Sequence, residues 1–382
     1  MKVKIKLDCI MPVFETLISD KLTVVLDIGA AFTKFGFTGE FAPRAIFRTE
    51  VRCKRKNQMR RIWDFESVDD LYDLLVEFIY NIYFKFALLS PKDRPIVVVE
   101  SLLCPTLFRE TLAKVLFSHY EISMMFTLPS HLVSLSSLAI ETAMVVDVGY
   151  KEAVIIPICH GIPLIEAWQA LPIGGEAIHN NLRRLLDSNN TGIHNLPDSI
   201  IEDIKIRCCF VTEKSRAEQL ASSKSDISVC PEVKYPVEGT QSILVSGKVR
   251  EKAFEILYEE DNDHLCLSTS ILDALLQTNM DLRYKLAENI LLIGGTTMAP
   301  GFKARLKEEL EKQLTFDRYK KLNIKTFAFH VPPCKENYAA WLGGAIYGAT
   351  ELLNMKAVTK EFYFKENRLP DWANLKDNIR NI

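Results

Sequence analysis

Leu22-Thr23-Val24-Val25-Leu26-Asp27-Ile28-Gly29 decides how the chain is read. An apolar run ending in Asp-x-Gly predicts a buried strand over 22–28, a tight turn at Gly29 and a second strand over 32–38. The theme returns at Ala143-Met144-Val145-Val146-Asp147-Val148-Gly149, and the two Asp-x-Gly turns lie 120 residues apart. That repeat predicts two related α/β domains. Such a turn directs backbone N–H groups outward into an anion-binding nest, and its carboxylate suits a hydrated Mg²⁺, which takes few protein oxygens directly. Two facing hairpins would clamp a polyphosphate from both sides. A third turn, Gly294-Gly295-Thr296-Thr297, follows an apolar strand at 289–293 and lets a base or ribose come close to the backbone. Each turn alone is an ordinary turn; the ordered set is specific. No GK[ST] is present, which excludes a Walker loop, and no GxGxxG, which excludes a Rossmann fingerprint.

The chain has 382 residues with 47 Lys+Arg against 49 Asp+Glu, a formal charge of −2. That length predicts two or three domains. The near balance of charge excludes a nucleic-acid binder as the global reading, and 48% hydrophobic residues exclude global disorder. Nine cysteines without a CxxC pair read as inert thiols of a reducing compartment. Residues 1–21 are not read as a secretory signal, because Asp8 interrupts the apolar stretch. Residues 122–140 lack Asp, Glu, Lys and Arg, but Pro129, His131 and five serines fit a strand and a buried helix better than a membrane span.

Elsewhere the pattern predicts a helix over 67–86 opened by a capping-box-like Ser67 and Asp70, a doubly covered strand at 95–100, and helices at about 105–118 and 130–140. Residues 213–232 read as a mobile surface excursion. A helix from Pro300 to about Leu314 is expected, with Pro300 in its first turn and Glu308 and Lys312 as a solvated pair. His131 reads as a core residue. The last 20 residues read as a tail on the first domain, where Trp372 is either an interface anchor or a packing residue.

Together these segments resemble the actin family, within the sugar kinase/Hsp70/actin group. The likeness is carried by Asp27-Ile28-Gly29 with Lys34, Gly36-Phe37-Thr38-Gly39-Glu40-Phe41-Ala42-Pro43-Arg44, Asp147-Val148-Gly149, Gly174-Gly175, Ile293-Gly294-Gly295-Thr296-Thr297-Met298, Pro332-Pro333 and Trp341-Leu342-Gly343-Gly344. It runs from about Leu22 to about Phe362. The resemblance implies an α/β, actin-like fold with two α/β domains around a nucleotide cleft. The first covers 1–142, completed by 339–382, with its small subdomain cut down at about 45–66. The second covers 143–338, with 174–262 as its peripheral part. The implied cofactor is ATP with Mg, and the implied contacts are Asp27, Gly29, Lys34, Asp147, Gly149, Gly175, Lys205, Gly294, Gly295 and Met298.

The departures from the family carry the functional reading. Ala30 and Ala31 stand where the family has a small hydroxyl residue and a glycine, which removes a phosphate hydrogen bond of about 1.5–3 kcal/mol. Tyr150-Lys151 replaces Asp-Gly after the second turn; Lys151 reads equally as a phosphate contact or a solvated lysine. Ser130 and Val154 stand at the positions of the water-orienting glutamine and the histidine near the attacking water, and Ile206 where a ribose-contacting acid is expected. The expectation is ATP held without hydrolysis, no catalytic residue and no enzyme.

Actins have a sizeable small subdomain before the next long helix; here only residues 45–66 separate Arg44 from it, so the resemblance implies that the loop that grips a neighbouring filament subunit is missing or vestigial. Within the family the likeness is to the actin-related proteins at the pointed end of dynactin. It rests on 91–118, Pro129-Ser130-His131-Leu132, Asp147-Val148-Gly149-Tyr150 and Arg368-Leu369-Pro370-Asp371-Trp372, and begins near Met11-Pro12, leaving 1–10 as either a species-specific extension or a misassigned start. The implied role is a non-polymerising cap on dynactin's actin-like filament, cytoplasmic and cytoskeletal. Its partners would be the filament subunits and pointed-end proteins, with dynein reached indirectly, and with no nucleic acid, membrane span or homo-oligomer. The basic run Arg52, Lys54, Arg55, Lys56, Arg60 and Arg61 reads as a solvated loop, an acidic-partner site, or a nuclear-localisation or nucleic-acid signal. The last option supports an alternative, a nuclear actin-related subunit of a chromatin-remodelling complex. An active ATPase or sugar kinase is disfavoured by Tyr150 and Lys151.

Overall fold

In the computed structural model, which describes residues 22–53, 57–189, 196–222, 228–237 and 242–370, two sheets each carry their own core. The first sheet contains β1 (Val24–Ile28), β2 (Phe32–Phe37) and β3 (Ala45–Arg48), after which β4 (Glu50–Cys53) and β5 (Gln58–Arg61) form a separate hairpin. β6 (Pro95–Glu100) and β7 (Met124–Pro129) follow. β1 and β2 are antiparallel, whereas β6 pairs parallel with β1 and β7. The second sheet is built from β8 (Ala143–Val148), β9 (Ala153–Cys159), β10 (Ile162–Pro163) and β11 (Gln169–Leu171). After the small hairpin of β12 (Val233–Pro236) and β13 (Ser242–Val245), β14 (Ile290–Ile293) completes it, pairing parallel with β8. β15 (Val358–Thr359) closes the edge of the first sheet on β7.

Each sheet thus repeats one plan, an antiparallel hairpin whose first strand has a parallel neighbour on its other side. Val24, Val25, Leu26, Ile96 and Val97 are fully buried, as are Met144, Val145, Val146, Ile290 and Leu291. Continuous apolar runs of this kind belong to strands covered on both faces. By packing, one compact unit ends at Ser130 and resumes at Gly344, and the other runs His131–Gly343. In the second unit a Cβ on Gly343 would lie 2.0 Å from the Val133 carbonyl oxygen; in the first, Gly344 and Gly348 lie against Val99 and Val97.

Helix Val68–Asn81 buries Leu71, Leu74, Leu75, Phe78 and Ile79, and Ser67 Oγ accepts the Asp70 N–H at 3.2 Å. The Asp70 carboxylate, expected to close a capping box, takes the Glu66 N–H at 3.0 Å and the Arg60 guanidinium at 2.9 and 3.0 Å. Past Asn81 the helix widens into π-type turns, Ile82–Ala87, and stops at Leu88 with φ 55°.

Three expectations are corrected. Pro300 lies outside helix Phe302–Gln313, whose N-cap is Gly301 at φ 87°; the Pro300 carbonyl accepts the Val211 N–H instead. The polar stretch after 213 folds in part as helix Lys214–Ala221, held by Lys214–Glu309, Arg216–Glu251 and Lys312–Glu218 ion pairs. Glu308 and Lys312 accordingly turn to that helix: Glu308 accepts the Lys214 N–H at 2.8 Å and Lys312 pairs with Glu218. His131 is buried as expected, and burial holds its imidazole down to about 4. The tail lies on the first unit as far as Leu369 and Pro370, the latter's carbonyl accepting from Arg109; Trp372 lies outside the described residues.

Candidate functional site

The first turn is built by β1 and β2. Register places Lys34 opposite Asp27, and they pair at 2.9 Å with both side chains 15% exposed. The Gly29 N–H donates to Phe32 O at 3.2 Å, and a Cβ on Gly29 would sit 2.7 Å from that oxygen and 3.6 Å from Lys34 Nζ. Glycine is therefore required by close approach. Ala31 O accepts the Thr49 N–H at 2.9 Å, and Gly29 O accepts the indole N–H of Trp63 at 3.1 Å. The structure brings Asp27, Gly29 and Lys34 together.

The second turn is built by β8, β9 and the end of β14. Ile293 is in register with Asp147, so Gly294 emerges beside it at the carboxyl ends of two parallel strands, where open α/β sheets bind ligands. Gly294 has φ 95°, and a Cβ there would lie 2.3 Å from Val148 O and 2.7 Å from Asp147 Oδ1. Gly149 O accepts the Thr296 hydroxyl at 2.8 Å and the Gly175 N–H at 3.0 Å. Asp147, Gly149, Gly175 and Gly294 thus form one cluster, with Gly295 next in the chain. Met298, 41% exposed, ends the short turn Gly295–Met298. Opposite Asp147, where Lys34 faces Asp27 in the first hairpin, stands Val154, which is buried.

Tyr150 lies against Gly175, its Cδ2 3.0 Å from where a Cβ would be, and its ring meets His179 edge-on at 5.4 Å. His179 Nε2 lies 3.0 Å from Glu202 and 3.1 Å from Lys205, and Lys205 pairs with Glu202 at 3.1 Å. Nδ1 of His179 is buried without a hydrogen-bond partner. A proton there would be an unsatisfied buried donor, so the network assigns the proton to Nε2, donating to Glu202. Burial alone would raise the Glu202 carboxyl; the His179 hydrogen bond and the Lys205 charge outweigh it and hold the group at about 2. Burial pushes the His179 imidazole down, so it is neutral.

Lys205 therefore reaches the cluster through His179 and Tyr150. Glu202 and His179 were missed from sequence. Glu202 has a local signal, three residues before Lys205 on helix Asp198–Cys208; His179, on helix Gly175–Asn189, has none. Ile206 is 63% exposed. In the basic run, Arg60 is spent on Asp70, while Lys54, Arg55 and Lys56 lie outside the described residues.

Among the described residues no group of three or more His, Cys, Asp or Glu fits a metal held by protein alone. A Mg²⁺ riding on phosphates and keeping its waters needs only one or two carboxylates. Asp27 and Asp147, one in each turn, are the carboxylates that could take that role, and Asp27 is paired with Lys34.

Residues 67–369 match the family model described as Actin. The chain is 29% identical to actin-related protein 10 of Dictyostelium discoideum, over 94% of this chain and 91% of that protein. It is 27% identical to actin-like protein 7A of Rattus norvegicus and of Mus musculus, over 86% of this chain and 77% of each. With an actin-type hairpin in each unit and the family match over most of its length, the chain belongs to the actin family, as an actin-related protein.

Proposed function

We propose that this protein is a structural, non-polymerising actin-related protein that caps the pointed end of the actin-like filament of dynactin. The observation that carries the reading is the short segment after β3. Between Arg48 and Ser67 the described residues form a two-stranded hairpin, β4 with β5, before helix Val68–Asn81. A subunit without a longer pointed-end loop joins a filament by its opposite face and accepts no subunit beyond itself. Similarity to actin-related protein 10 supports the same branch of the family.

The protein binds ATP and keeps it. Each unit carries a turn suited to phosphate: Asp27, Gly29 and Lys34 in the first, and Asp147, Gly149, Gly175 and Gly294-Gly295 in the second, to which Lys205 and Met298 also belong. When bound, Mg²⁺ would screen the phosphate charge. Hydrolysis lacks its groups: Val154 and Ser130 are buried residues with neither an imidazole nor an amide, and positioned acid–base groups contribute about 10²–10⁴-fold in rate. The protein works in the cytoplasm with dynactin's filament and pointed-end subunits, and with dynein through them. The nuclear alternative loses part of its support, because Arg60 is held in a side-chain pair with Asp70. The test is direct: purified protein with ATP and Mg²⁺ retains bound ATP, releases no phosphate at the rate of a filament-forming actin, and stays monomeric at micromolar concentration. Phosphate release at that rate or self-assembly into filaments overturns the reading.

A further inference from the structure

The shortened segment does more than omit a loop. β4 starts directly after Thr49, whose N–H donates to Ala31 O in the first turn and whose hydroxyl meets the Thr33 hydroxyl at 2.8 Å. After β5 the Ile62 N–H returns to Thr49 O at 3.3 Å. The base of the hairpin is thereby fastened to the first turn, and the next residue is Trp63. Its ring stacks on the buried Phe108, centroids 3.9 Å apart and planes 15° apart, and its indole N–H reaches Gly29 O at 3.1 Å.

In a trans peptide the C=O and the following N–H point in opposite directions. Fixing Gly29 O on Trp63 therefore aims the Ala30 N–H away from Trp63. Fixing Ala31 O on Thr49 aims the Phe32 N–H in the same way. The N–H groups of Ala30 and Ala31 donate to no backbone acceptor among the described residues, and Lys34 Nζ lies at the floor of the same turn. Oriented N–H groups over a cation make a nest for an anion. The hydroxyl absent at Ala30 leaves this turn without a side-chain donor of its own, so the orientation of its peptides carries more of the binding.

We infer that Trp63 is a positioning residue for ATP: it orients the Gly29–Ala30 peptide so that the first turn receives phosphate. The inference rests on the ATP-binding reading above. Trp63→Phe keeps an aromatic ring against Phe108 and removes the indole N–H together with part of the ring system. Calorimetric titration of the full chain with ATP and with adenosine, both with Mg²⁺, separates the roles. The expected result is ATP weakened about tenfold, less than the complete loss of one charge-assisted hydrogen bond, with adenosine affinity unchanged. Wild-type protein that binds ATP while Trp63→Phe binds it equally, or loses adenosine to the same degree, overturns this inference alone. Wild-type protein that binds no ATP overturns the nucleotide reading and this inference with it. If Trp63→Phe does not fold, the wild-type indole resonance decides, assigned by elimination with Trp168→Phe, Trp341→Phe and Trp372→Phe. A Trp63 N–H signal that moves with ATP and not with adenosine supports the inference, and one indifferent to ATP overturns it.

Discussion

Glu202→Gln is the most informative substitution in the second unit. The side chain is 14% exposed and holds two neighbours, His179 and Lys205. Its carboxyl sits at about 2 in the folded protein, against about 4.3 to 4.5 unfolded. The depressed value means the stabilisation is present above the unfolded pKa and is lost as pH falls through the folded one. A gap of about 2.5 units is worth about 3 kcal/mol at pH 7, about 2 at pH 3.5 and under about 1 at pH 2.5. Glutamine keeps the shape but leaves Lys205 buried without its carboxylate. Urea unfolding of both proteins across this range measures the difference directly. Wild type should exceed the variant by about 3 kcal/mol at pH 7, with the gap narrowing below pH 4. A pH-independent gap would mean that Glu202 acts by packing, and no gap would mean that the network contributes nothing; either refutes the reasoning.

Two further outcomes follow from buried groups. His131 titrates at about 4 when folded and near 6.5 unfolded, so its contribution, up to about 3 kcal/mol, drains away as pH falls from 6.5 to 4. His131→Gln should reduce the slope of stability against pH in that window by about one proton, and an unchanged slope contradicts it. Gly343→Ala places a methyl 2.0 Å from a backbone oxygen, whereas Gly39→Ala, at φ 81°, meets nothing within 4 Å. Scanning calorimetry should find the first destabilised by about 3 kcal/mol or more and the second by about 1–2 kcal/mol, from left-handed strain only; equal losses would be wrong for this packing.

How far the sequence could be read follows from where each signal lives. Strands such as Val24–Ile28 and Pro95–Glu100 were legible because doubly buried strands are continuous apolar runs. The two Asp-x-Gly turns were legible as tight turns because close approach demands Gly29, Gly175 and Gly294 at their places. The hairpin Glu50–Cys53 with Gln58–Arg61 was hidden in a charge run, since its alternation is written in arginines, one of which pairs with Asp70 ten residues on. Pro300 followed a sound rule to the wrong place, because Gly301 at φ 87° caps the helix one residue later. Glu308 and Lys312 have helical spacing, yet neighbouring helix Lys214–Ala221 offers each a partner. The Tyr150–His179–Glu202–Lys205 wall is tertiary: three chain segments meet there, and only Glu202 with Lys205 leaves a local trace.

The central claim is that this chain ends a filament. Tagged protein recovered from cytoplasmic extract, with its partners quantified by mass spectrometry, tests it most directly. The account predicts dynactin's filament and pointed-end subunits in fixed ratio, with one copy of this chain per complex. Recovery with chromatin remodellers and no dynactin, or several copies along each filament, would contradict it.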